Sequence, residues 1–176
     1  MSSLPENPDV RAPQRGCLEA IGRCVSLLRR FREWRGGSSD EDFRRIGPHL
    51  RHCLDHFTAL ERGLECGVVD YDARDRSTEL ETDLDSCTSA FERAHDRLAS
   101  LDAPADHPLV VSQISCSSPD AHRTESTLER ELVFLSGHTI HHLAVVGWIC
   151  KDLGFELPES MMLAFSTEAH RQTADA

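Results

Sequence analysis

Apolar residues recur every three or four positions in four separate stretches of this chain, and that spacing restricts it to packed amphipathic helices. In the first stretch, about 13–34, Cys17, Leu18, Ile21, Val25, Leu28, Phe31 and Trp34 line one side. "RGGSSDED" then breaks the pattern, and Ser39 or Asp40 supplies a cap for the next helix. That helix, about 41–65, carries Ile46, Leu50, Cys53, Leu54, Phe57, Leu60 and Leu64. Gly47 and Pro48 are placed in or near its first turns, where proline is tolerated.

A third helix starts at Thr78, where Thr78 and Glu81 fit a capping box, and presents Leu80, Leu84, Cys87, Phe91, Ala94, Leu98 and Leu101. The fourth opens on a second box, Ser126 with Glu129, and runs to about Leu153. The charged run "GVVDYDARDRS" connects helices 2 and 3. Between helices 3 and 4, "LVVSQIS" reads as a β-like run and "SCSSPDAHRTES" as a polar loop with room for a return strand. "GFELP" gives a glycine stop, with a short terminal helix after it. The expected fold is therefore all-α: four helices packed as a bundle, with a short extended segment between helices 3 and 4. A chain of 176 residues suits one domain, placed at 13–170 between a flexible N-terminus, 1–12, and a disordered tail, 171–176.

Charge narrows the partners. Thirty acidic residues against 19 basic ones leave a net charge of −11, which disfavours both a nucleic-acid surface and an anionic membrane. No stretch is an uninterrupted apolar run of membrane-spanning length, and the polar, proline-rich start does not read as a secretory signal. Seven cysteines form no CxxC pair, and most fall among apolar neighbours at helical spacing. That is the habit of buried thiols in a reducing compartment, so a cytoplasmic location is expected.

The chemistry concentrates in "GHTIHHL", residues 137–143. The inward line of helix 4 is read as Leu128, Leu132, Leu135, His138, His142, Val145 and Ile149, which puts two imidazoles in core slots one turn apart. Two neighbouring desolvated imidazoles are costly unless something satisfies both, and a shared metal ion does so. His141 is rotated by roughly 100° from His142 and points elsewhere. A third ligand is expected from helix 2, where "HLRHCLDHF" offers His49, His52 and His56 beside Asp55. On angle alone His49 and His56 flank the apolar arc and His52 lies further round. The competing reading for these three is a solvated or inter-helix edge, and for the helix-4 pair it is two core histidines, each hydrogen-bonded to a carboxylate or carbonyl.

Taken in order, "IGPHLRHCLDHF", "VDYDARDR…ELETD", "ELVFLSGHTIHH" and "GFELP" resemble the DinB/YfiT-like family of metal-dependent helical-bundle proteins, over about residues 15–165. The resemblance implies an up-down-down-up bundle, a divalent metal such as zinc or nickel, and a homodimer. By position it puts the family's first ligand on His52 and its pair on His138 and His142, with His56 as an alternative ligand or neighbour and Asp55 as an orienting group. It also implies a small-molecule role, either transfer of a low-molecular-weight thiol or hydrolysis. The alternative is a non-catalytic, dimeric metal- or ligand-binding bundle with a stress-related role. Tyr71, Arg74 and Arg76 are candidate substrate contacts; for the arginines the competing reading is a solvated loop with local ion pairs. The chain departs from the family pattern at "ESMMLAFST", near the C-terminal cap.

Overall fold

A computed structural model describes residues 11–34, 40–73, 75 and 77–174. It is mostly helical, with six α-helices and one small sheet among the described residues. Helix α1 spans Ala12–Trp34 and α2 spans Asp40–Cys66. After strand β1, Val68–Asp70, come a short α3, Thr78–Thr82, and α4, Leu84–Ala99. Strands β2, Pro108–Gln113, and β3, His122–Thr127, lead into α5, Leu128–Asp152. A 3-10 turn at Glu159–Met161 and α6, Phe165–Ala174, complete the order.

The apolar spacing does what it predicts in α1, where Cys17, Ala20, Ile21, Cys24, Leu27, Leu28 and Phe31 are all fully buried. Helix α1 packs on α4 and α5, and α2 packs on α3, α4 and α5, so the four long helices share one core. Phe31 anchors one end of it, its ring centroid 6.3 Å from that of Phe43 and 5.7 Å from that of Phe155. Gly154 ends α5 with φ +81°, a conformation that suits glycine and fits the expected stop.

Four expectations need correction. The third helix is broken at Asp83, whose side chain accepts from the Ser86 N–H at 2.7 Å and so caps α4. Ser77, not Thr78, stands at the start of α3 and makes no side-chain cap bond. Thr127, not Ser126, caps α5 by accepting from the Arg130 N–H. Pro48 lies two turns inside α2, beyond the first turns where proline costs nothing. Its neighbour explains the tight spot: a methyl group at Gly47 would run into the backbone of Glu81, so α3 lies directly against α2 there.

The sheet is the larger departure from an all-α fold. Strand β2 sits in the middle, parallel to β1 with Val69 opposite Val111, and antiparallel to β3 with Val110 opposite Glu125. The β-like run and its return strand are thus β2 and β3, while β1 occupies what reads as a charged connection. Gly67, at φ +80°, turns the chain from α2 into β1.

At the ends, residues 171–174, expected as tail, belong to α6, which is tied down by Arg23. Residues 1–10 of the expected flexible N-terminus, and 175–176 of the tail, lie outside the described residues. Helix α5 is long and apolar enough to cross a membrane, as the core helix of a globular bundle also can be. Its outer face exposes Val133 and Trp148, the latter 74% accessible.

Candidate metal centre

Helices α2 and α5 lie side by side, and each offers histidines one turn apart along the seam. His52 and His138 meet across it with their Nε2 atoms 3.1 Å apart. His142, one turn on from His138, has its ring centroid 4.7 Å from that of His52 and 4.6 Å from that of His138. One ring nitrogen from each of these three lies within 4.8 Å of the other two. Two metal–nitrogen bonds of about 2.0–2.1 Å at a tetrahedral angle put their nitrogens roughly 3.3 Å apart. The His52–His138 pair stands close to that spacing, and the three nitrogens together could hold a divalent ion. The same separation also suits a shared N–H···N hydrogen bond.

The three imidazoles are half-buried rather than enclosed. This corrects the expected inward line of α5. The buried line runs through Leu128, Leu132, Leu135, Thr139, Leu143, Val146 and Cys150. His138, His142, Val145 and Ile149 stand on its shoulder. The shoulder is what faces α2, so the imidazoles converge at the edge of the core and remain reachable from solvent.

His49 joins the cluster at the other end, its Nδ1 3.2 Å from Nδ1 of His142. Burial lowers the pKa of His49. Burial, with positive charge on His138, His49 and His141 adding to it, pushes His142 down to about 4. At neutral pH the His142 imidazole is consequently uncharged, with a lone pair free of protons to displace. His141 is exposed, and its ring stands edge-on to that of His142 with centroids 5.5 Å apart.

Of the neighbours expected around the site, His56, Asp55 and Tyr71 are described. His56 is 3% exposed, and because a carbonyl only accepts, its Nδ1–H donates to the His52 carbonyl at 3.0 Å. Its ring stacks on His138 with centroids 4.3 Å apart. Asp55 is paired with Arg51, which also reaches Glu81 at 2.6 Å and so pins α3 to α2 beside the site. Tyr71 is 2% exposed and donates its hydroxyl to Glu131 at 2.6 Å. Arg74 and Arg76 lie outside the described residues.

His49 is among the candidates that the sequence offers on α2, but nothing in its spacing reveals that it reaches His142. One residue escapes the sequence reading altogether. Glu131 is fully buried, and there a signal existed: it falls three residues after Leu128 and four before Leu135, on the apolar line itself.

Among known proteins, no family model matches the chain, and no solved structure matches it. A protein of Rhizopus delemar named FK506-binding protein 5 is 33% identical over 105 residues, which is 58% of this chain and 27% of that protein. The chain thus spans about a quarter of the length of this curated relative.

Proposed function

We propose that the protein is a divalent-metal-binding helical bundle of the DinB/YfiT-like kind, with its four long helices in up-down-down-up order and His52, His138 and His142 as ligands. The observation that carries this reading is the convergence of three ring nitrogens from two helices within 4.8 Å. Zinc and nickel both suit an all-imidazole donor set. A divalent ion held there supplies Lewis acidity toward a small thiol or an electrophile, the chemistry of a metal-dependent thiol S-transferase or hydrolase.

The residues of the chain do the remaining work. The three imidazoles are half-buried and so within reach of a small molecule, with the buried Thr139–Leu143 line of α5 beside them. The low pKa of His142 keeps a ligand nitrogen deprotonated through the neutral range.

A second reading rests on His49. A fourth imidazole within 3.2 Å of His142 can close the coordination shell, and a closed shell belongs to a binder rather than an enzyme. Replacing His49 with alanine separates the two. An enzyme's thiol-transfer turnover survives the change, whereas a closed site loses affinity by more than an order of magnitude.

Equilibrium dialysis of chelator-stripped protein against zinc and then nickel tests the shared premise. About one ion per chain is expected. His138→Ala should abolish uptake and leave the helical circular dichroism unchanged. A wild-type protein that retains no ion, or a His138→Ala protein that retains it fully, overturns the assignment.

A further inference from the structure

Glu131 is the only carboxylate among the fully buried polar groups of the described residues, and it sits in the apolar line of α5 between Leu128 and Leu135. A buried carboxylate is costly unless its oxygens are all engaged, and an aliphatic side chain would serve packing better. Its oxygens are engaged: Tyr71 donates at 2.6 Å, Ser126 donates through its hydroxyl, and Arg130 donates from Nη1 at 2.9 Å.

What the carboxylate fixes is Tyr71, and from Tyr71 a column of rings leads to the histidine triad. The Tyr71 ring stacks on His56 with centroids 5.0 Å apart and planes 19° from parallel. His56 stacks on His138 at 4.3 Å and 26°. Phe134 closes the other side of the column, 5.3 Å from Tyr71 and 5.4 Å from His138. His56 also holds the backbone of α2 through its bond to the His52 carbonyl. Each ring in the column has few planes open to it, so the orientation of the last follows from the tether on the first.

The geometry points to Glu131, Tyr71 and His56 as positioning residues that set the ring plane of His138 and the backbone beneath His52. This rests on the reading of His52, His138 and His142 as metal ligands. The tyrosine hydroxyl is held as a donor, because burial and then the bond to Glu131 raise its pKa well above the ordinary phenol value. It is therefore a fixed strut between the sheet end of the molecule and the α2–α5 seam.

The test measures zinc affinity by competition with a chromogenic chelator, and the visible spectrum of the cobalt-substituted protein as a reporter of ligand geometry. Tyr71→Phe and Glu131→Gln should each weaken zinc binding about tenfold and alter the cobalt bands. Leu98→Ala, in the core on α4, serves as the control for stability alone: it should melt lower yet bind zinc as the wild type does. Should Glu131→Gln fail to fold, Tyr71→Phe, which leaves the carboxylate with two donors, carries the test. Wild-type affinity and an unchanged cobalt spectrum in Tyr71→Phe would overturn the inference while leaving the metal site standing. If the wild type binds no metal, the metal reading fails by itself, and the column is judged in the metal-free protein. There Tyr71→Phe should shift the His56 and His138 side-chain NMR signals, and unmoved signals would refute it.

Discussion

A methyl group on Gly47 would lie 2.8 Å from the carbonyl carbon of Glu81 and 2.9 Å from its Cα, with the carbonyl oxygen closer still. All three atoms are backbone, so no rotamer change relieves the clash, and α3 must lift from α2. That movement also stretches the Arg51–Glu81 contact that ties the two helices beside the histidines. Overpacking of this kind costs about 1–3 kcal/mol, and the upper end applies where the neighbour is rigid. Alanine in a helix returns about 1 kcal/mol relative to glycine, leaving Gly47→Ala destabilised by about 2 kcal/mol. For a chain of this length that is a fall in Tm of about 4–8 °C. Gly147→Ala is the matched comparison. A methyl group there meets the end of the Met162 side chain, which can swing aside, so propensity and clash nearly cancel. Thermal unfolding followed by circular dichroism, in chelator, reads both variants. A Gly47→Ala protein that melts at or above the wild type, or a larger fall in Gly147→Ala, would refute the argument that backbone approach decides the cost.

Zinc at about 100 times its Kd should stabilise the wild type by about 2.7 kcal/mol and raise Tm by about 5–11 °C; His138→Ala should show no shift. Because the folded pKa of His142 is lowered to about 4 from 6.5, the unfolded chain binds more protons between those values. The stability of the metal-free protein should thus be fully present above pH 6.5 and fall as pH drops toward 4, with a shallower fall in His142→Gln. Burial pushes the Cys17, Cys53, Cys87 and Cys150 thiols up to about 12, and Cys24 well above its usual value. Ellman's reagent should then titrate only Cys66 and Cys116 in the native protein, and all seven thiols in denaturant; a third fast thiol would mean that the core opens.

The helices were legible where one face is apolar and the other charged, as in α1 and α2. Helix α5 was legible as a helix but not in its rotation. It is apolar almost all round, so two parallel lines pass through Leu135, one by His138 and His142, the other by Thr139 and Leu143. Hydrophobicity hardly distinguishes them, and packing against α1 and α2 together selects the second. Strand β1 was illegible for a different reason. Three residues carry little pattern of their own, and Val68–Asp70 becomes a strand only because β2 arrives alongside after α3 and α4 have intervened. The break at Asp83 leaves no mark in the pattern, because a capping aspartate in the middle of a helical stretch looks like one more solvated carboxylate.

The rotation of α5 changes what the histidines can do. Imidazoles on the buried line would be walled in by aliphatic side chains, and an ion placed there would have no path in and no side open to a ligand. On the shoulder, the same residues meet His52 across the α2–α5 seam and stay half-buried. Partial burial there is enough to depress His142, and like charge on His138, His49 and His141 adds to it. It is not enough to seal the site. The proposed metal site asks for an accessible face, which this placement offers and the core line that the apolar spacing alone suggests would not; an uncharged His142 follows from burial on either line.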